Sequence, residues 1–172
     1  IYLDYTGSGV YAESQLRKHH EFLSSNVFGN PHSTNPTSAI STAVVERTRE
    51  AILQFFNADP KEYVAIFTSN ASGALKLVGE SFPFEKNSHY VLTYDNHNSV
   101  NGIREYALAH NATVTYIPVL PPEMDLDESK LDDALKSIHS GSPSLFAFPA
   151  QSNFSGRQHS LEWIKRAHAL GW

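Results

Sequence analysis

From Glu62 onward, short apolar runs alternate with longer stretches in which apolar residues recur every three or four positions. The runs "EYVAIFT" (62–68), "HYVLTY" (89–94), "TVTYIPV" (113–119) and "SLFAFPA" (144–150) are rich in β-branched and aromatic residues and predict strands. Between and after them, helices are expected over Ser72–Phe82, Ser99–His110, Asp127–His139 and Ser160–Leu170, with Leu131, Leu135 and Ile138 on one face of the third. Strands that alternate with helices of this length form βαβ units, so the fold class is α/β with a mainly parallel sheet and flanking helices.

Before residue 62 the pattern is helical. Ala12–Ser24 reads as a first helix, and the loop "SNVFGNPHSTNP" separates it from a longer second one. Asn35 and Pro36 have the residue types of an N-cap and a first helical position. Ile40, Val44, Ile52 and Phe55, widened by Leu53 and Phe56, form the apolar face of that helix. The expected organisation is a helical arm over 1–60, then the first half of an α/β large domain over 61–172.

Composition narrows the function classes. At 172 residues and 41% hydrophobic, the chain can bury one sizeable core. A formal net charge of -5 argues against nucleic acid as a partner. No apolar run is long enough to span a bilayer, so no membrane association is expected. The absence of cysteine rules out disulfides and thiolate metal sites in these residues and fits a reducing, cytoplasmic setting. The nine histidines form no His-x-His or His-x-x-x-His pair, and no metal site is expected. Asn70, Asn111 and Asn153 head glycosylation triplets, read here as unmodified. A start at Ile1 and an end at Gly171-Trp172 suggest an N-terminal fragment.

In parallel sheets, ligands bind beyond the carboxyl ends of the strands. Here those positions read "SNASG", "DNHNS", "PP" and "QSNFSG", three of them polar. At the first, a helix N-terminus with the Ser72 hydroxyl, flanked by the small residues Ala71 and Gly73, suits a phosphate; the competing reading is a serine N-cap. At the second, His97 could stack on a flat ring or move a proton, or be an exposed residue beside a helix capped by Asn96 or Asn98. At the fourth, the Asn153 amide could donate to a phenolate or carboxylate, or simply support a turn. Neither the nucleoside-triphosphate loop nor the dinucleotide glycine pattern is present, which disfavours a Rossmann-like nucleotide binder.

Taken in order, "YLD", "FGNPHS", "FTSNASGALKL", "DNHNSVNGIREYA" and "LFAFPAQSNFSG" resemble class V aminotransferase-like enzymes of the cysteine desulfurase group, and within it the N-terminal domain of the molybdenum cofactor sulfurases. The resemblance runs from about residue 2 to the end of the chain. It implies fold type I of the pyridoxal-phosphate-dependent transferases, as a partial large domain, and pyridoxal 5'-phosphate as cofactor. By the same resemblance Ser72, with the backbone around Ala71 and Gly73, holds the cofactor phosphate. His97 stacks on the ring as a catalytic residue, and Asn153 bonds near the ring hydroxyl and substrate carboxylate. The loops Thr6–Gly9 and Asn30–Ser33 border the active site.

The implied activity is sulfur mobilisation from cysteine onto an enzyme cysteine as persulfide, with a molybdenum cofactor acceptor and a homodimeric full-length enzyme. The Schiff-base lysine, the acidic partner of the pyridine nitrogen and the sulfur-carrying cysteine are expected beyond residue 172, so the fragment alone is expected to be inactive. The alternatives are a selenocysteine lyase-like or other class V enzyme, and a catalytically inactive short relative that pairs with a full-length subunit.

Overall fold

The computed structural model describes residues 1–5, 8–139 and 141–172. It divides into two compact units, one of Val10–Phe67 and one of Ile1–Gly9 with Thr68–Trp172.

The Val10–Phe67 unit contains helices α1 (Glu13–Ser24) and α2 (Pro36–Phe55). As the sequence suggests, Asn35 caps α2, its side-chain oxygen accepting the Ser38 N–H at 3.0 Å, with Pro36 in the first turn. The preceding loop is fastened to α2 by hydroxyls. Ser41 donates to the Gly29 carbonyl at 2.7 Å, and the His32 N–H donates to Thr42 Oγ1 at 2.8 Å. Gly29 allows this close approach, since a Cβ there would lie 2.7 Å from Ser38 Oγ and 2.8 Å from Thr37 Oγ1 and would force those hydroxyls to shift. The expected strand 62–68 does not form. Tyr63, Val64, Ile66 and Phe67 are exposed, and no strand pairs with this segment among the described residues. The intrinsic preference is there, but a strand needs a neighbour to satisfy its backbone.

The other unit is built on three parallel strands in the order β2-β1-β5, namely β1 (His89–Thr93), β2 (Thr113–Ile117) and β5 (Leu145–Ala147). Pairing runs from His89↔Thr113 to Thr93↔Ile117 on one side and from Tyr90↔Leu145 to Leu92↔Ala147 on the other. Successive residues of β1 face opposite ways. Val91 packs with Ile117, with Leu131, Ala134 and Leu135 of α6 (Glu128–Lys136), and with Trp163 and Ala167 of α7 (Glu162–Ala169). Tyr90 and Leu92 pack with Phe84, Ala112, and Ile103 and Ala107 of α5 (Ile103–Ala109). Helices thus cover both faces of the sheet, as expected.

Several boundaries differ: the strand expected over 144–150 is only Leu145–Ala147, and the helix expected over Asp127–His139 is Glu128–Lys136. The helix expected over Ser99–His110 is two, α4 (Asn98–Asn101) and α5, with Gly102 between them. The strand expected over 113–119 stops at Ile117, because Pro118 has no N–H for the ladder. After it, β3 (Val119–Leu120) and β4 (Asp125–Leu126) form a small antiparallel ribbon. Among the described residues, no helix is long and apolar enough to cross a membrane.

Candidate functional site

Because β1 and β5 are parallel neighbours, their carboxyl ends lie at one edge of the sheet. Asn96 stitches the two ends together. Its amide nitrogen donates to the carbonyls of Thr93 and Ala147, each at 3.0 Å. Asn96 is therefore buried below the loop and does not cap α4, and neither does Asn98. His97 does, with Nδ1 accepting the Ser99 N–H at 3.2 Å. A backbone N–H can only donate, so the proton of the neutral ring is on Nε2, at the exposed end of the side chain.

The same Nδ1 lies 3.0 Å from Ser99 Oγ, which lies 2.5 Å from Ser72 Oγ. Ser72, Ser99 and His97 form one chain of hydrogen bonds from helix α3 (Ala71–Ser81) to the strand-end imidazole. Below it, the Tyr90 hydroxyl donates to the Val100 carbonyl at 2.9 Å and holds α4 against the sheet. Burial, with a smaller contribution from Tyr116, raises the Tyr90 phenol well above its ordinary pKa, so it stays a donor.

At the start of α3 the cap is Asn70, not Ser72. Its side-chain oxygen accepts the Gly73 N–H at 2.8 Å, and its carbonyl accepts the Ala74 N–H at 3.1 Å. The Gly73 N–H is thus engaged, while the N–H groups of Ala71 and Ser72 precede any carbonyl of the helix that could receive them. The first turn has no acidic residue, and the helix dipole presents its positive end there. A Cβ on Gly73 would lie 3.2 Å from Ser69 Oγ, so glycine lets the turn close tightly.

His97 and Asn153 line one cleft of about 400 Å³, with Tyr94, Asn101 and Phe154. Asn101 Oδ1 is buried and has no hydrogen-bond partner among the described residues. The only acidic side chain in the lining, Asp95, is occupied by Thr93 and His159, at 2.7 Å from each. Amides and an imidazole line the cleft, and the Ser72 and Ser99 hydroxyls join that imidazole to a helix N-terminus outside the lining, a donor set that fits an anionic, flat ligand such as pyridoxal phosphate. No group of metal-binding side chains exists among the described residues.

Ser72, His97 and Asn153 thus fall in the same unit, the first two joined through Ser99. Of the loop Thr6–Gly9, Thr6 and Gly7 lie outside the described residues, and Asn30–Ser33 belongs to the other unit. Ser99 was legible as a residue two positions after a potential side-chain acceptor, a common local cap pattern. His159 carried no local signal, since its partner Asp95 is 64 residues away.

The profile of the family Aminotransferase class-V matches residues 1–171. The chain belongs to that family. Within the class V aminotransferases, it is 40% identical to a molybdenum cofactor sulfurase of Solanum lycopersicum, over 96% of this chain and 22% of the relative. The chain thus spans about a fifth of the length of that sulfurase. Its fold matches a cysteine desulfurase of Thermococcus onnurineus at a TM-score of 0.81 and 24% identity, covering 98% of this chain and 41% of the other. A C-DES mutant with glycine covalently linked to its pyridoxal-phosphate cofactor matches at a TM-score of 0.59 and 16% identity, covering 88% and 47%. This class V chain is therefore homologous to molybdenum cofactor sulfurases and has the fold of the desulfurases.

Proposed function

We propose that this chain is the cofactor-seating part of a pyridoxal-phosphate enzyme that withdraws sulfur from cysteine, with a molybdenum cofactor as final acceptor. The observation that carries the reading is the Ser72–Ser99–His97 chain, which joins the positive end of α3 to an imidazole beside the cleft that Asn153 lines.

When bound, the cofactor supplies an electron sink for the bonds of the substrate amino acid. The residues of this chain bind and orient. The N–H groups of Ala71 and Ser72 receive the phosphate, the Ser72 hydroxyl turns its proton from Ser99 to it, and Gly73 shapes the turn. His97 lies against the ring, its Nε2–H available to hold or pass a proton at the substrate. The Asn153 amide aligns the ring hydroxyl and the substrate carboxylate. The Schiff-base lysine, the acidic partner of the pyridine nitrogen and the sulfur-carrying cysteine are assigned to the complete protein outside these residues. In that protein, residues 1–60 form a helical arm and 61–172 the first half of the large domain. A cytoplasmic homodimer is the expected assembly.

The test is the visible absorption of the complete protein with pyridoxal phosphate. His97→Ala is expected to shift the cofactor band, and cysteine is expected to yield alanine in the parent protein. An unchanged band in the variant removes the stacking role, and a parent protein that forms no alanine removes the activity.

A further inference from the structure

Under the cleft lies a polar pair with no part in the chemistry proposed above. His159 Nε2 is 2.7 Å from Asp95 Oδ2, and the two side chains are 3% and 0% exposed. The other carboxyl oxygen, Oδ1, accepts from the Thr93 hydroxyl at 2.7 Å. The Asp95 carbonyl accepts from the Ser152 hydroxyl at 3.4 Å. The His159 N–H donates to the Ala150 carbonyl at 3.0 Å, and its ring stacks on Trp163 with centroids 5.3 Å apart. A buried carboxyl is costly unless both oxygens are served, and here both are.

The place of the pair in the chain gives it a consequence. Asp95 is two residues before His97, and His159 six residues after Asn153. The elements nearest these loops are small: α4 has four residues and β5 three. Asn96 ties the strand ends, but the loops beyond them are tied by Asp95 with His159 and Ser152. The 152–157 turn is closed on itself, with the Ser152 N–H on the Arg157 carbonyl at 2.8 Å and the Gly156 N–H on the Ser152 carbonyl at 2.9 Å. The turn is thus braced internally, and Asp95 anchors it to the His97 loop through Ser152.

We propose that Asp95 and His159 are positioning residues that fix the His97 loop and the Asn153 turn relative to each other across the cleft. The meaning of this for a cofactor rests on the function proposed above; the coupling of the two loops does not.

The experiment is amide hydrogen exchange on the complete protein without cofactor, followed by titration with pyridoxal phosphate. Asp95→Ala and His159→Phe are the disrupting variants, the latter keeping a ring against Trp163. His159→Gln restores a donor. Loss of the bond should speed exchange about tenfold in both 94–99 and 151–157, with α6 unchanged, a modest effect for a hydrogen bond to a charged group. Half-saturation by pyridoxal phosphate should rise about tenfold in step, and His159→Gln should recover much of both effects. If His159→Phe fails to fold, Asp95→Ala decides. Faster exchange in one loop only, faster exchange spread evenly through α6, or unchanged half-saturation where the parent binds would overturn the proposal. A parent protein that binds no pyridoxal phosphate would sink the proposed function, and the exchange data alone would then judge the coupling.

Discussion

The runs Tyr63–Phe67 and Tyr90–Leu92 draw on the same residue types and meet opposite fates. In β1, Tyr90, Val91 and Leu92 are 0% exposed, whereas Val64 and Ile66 are 72% and 65% exposed. The difference is in the neighbours. β1 has β2 on one side and β5 on the other, with helices on both faces, while the 62–68 segment pairs with no strand among the described residues. Burying one such side chain contributes roughly 1.5–3 kcal/mol, so the same run is a cornerstone in one place and nearly idle in the other. An apolar run states what a segment can do; pairing decides whether it does.

The sharpest way to break this comparison is to truncate both runs. Leu92→Ala should cost about 2–5 kcal/mol, and Ile66→Ala should stay within about 0.5 kcal/mol, read from urea unfolding of this chain. Equal costs would mean that 62–68 finds a partner strand in solution. A smaller effect is expected where α3 and α5 meet. A Cβ on Gly79 would lie 2.7 Å from Tyr106 Cδ2, so Gly79→Ala should lose about 1–3 kcal/mol despite its better helix propensity. A gain in stability would show that the ring can turn aside.

The smallest expected effect is on pH. His89 sits at the start of β1, 2.8 Å from Thr115 Oγ1 and 3.1 Å from Ser137 Oγ. Burial, and then the nearby His139, lower its pKa from the ordinary 6.5. Below 6.5 the unfolded chain binds the proton more readily than the folded one. The contribution of His89 is thus fully present above that pH and lost as pH falls through it toward the lowered value. Thermal unfolding between neutral and mildly acidic pH should show this loss, and His89→Gln should flatten it. An equal slope in the variant would assign the pH response elsewhere.

Much of the fold was legible because local chemistry and tertiary structure agree. Asn35-Pro36 announced α2, the Leu131–Leu135 spacing announced α6, and three of four apolar runs became strands. The fourth failed because pairing is non-local. The gathering of His97 and Asn153 at one cleft was legible from strand order alone, since parallel neighbours end on the same edge. The identity of the caps was not. Asn70 and His97 took roles that serine and two other asparagines could fill equally well by residue type, and geometry made the choice. The Asp95–His159 bond was invisible, because nothing near either residue points across 64 positions.

The central claim is that the start of α3 receives the phosphate of the cofactor. It is tested most directly by comparing how tightly the complete protein and its Ser72→Ala variant bind pyridoxal 5'-phosphate and pyridoxal, which lacks the phosphate. The account predicts that Ser72→Ala weakens the phosphorylated form about tenfold or more and leaves pyridoxal unchanged, as expected for loss of a hydrogen bond to a charged group. Equal weakening of both, or none of either, would contradict it.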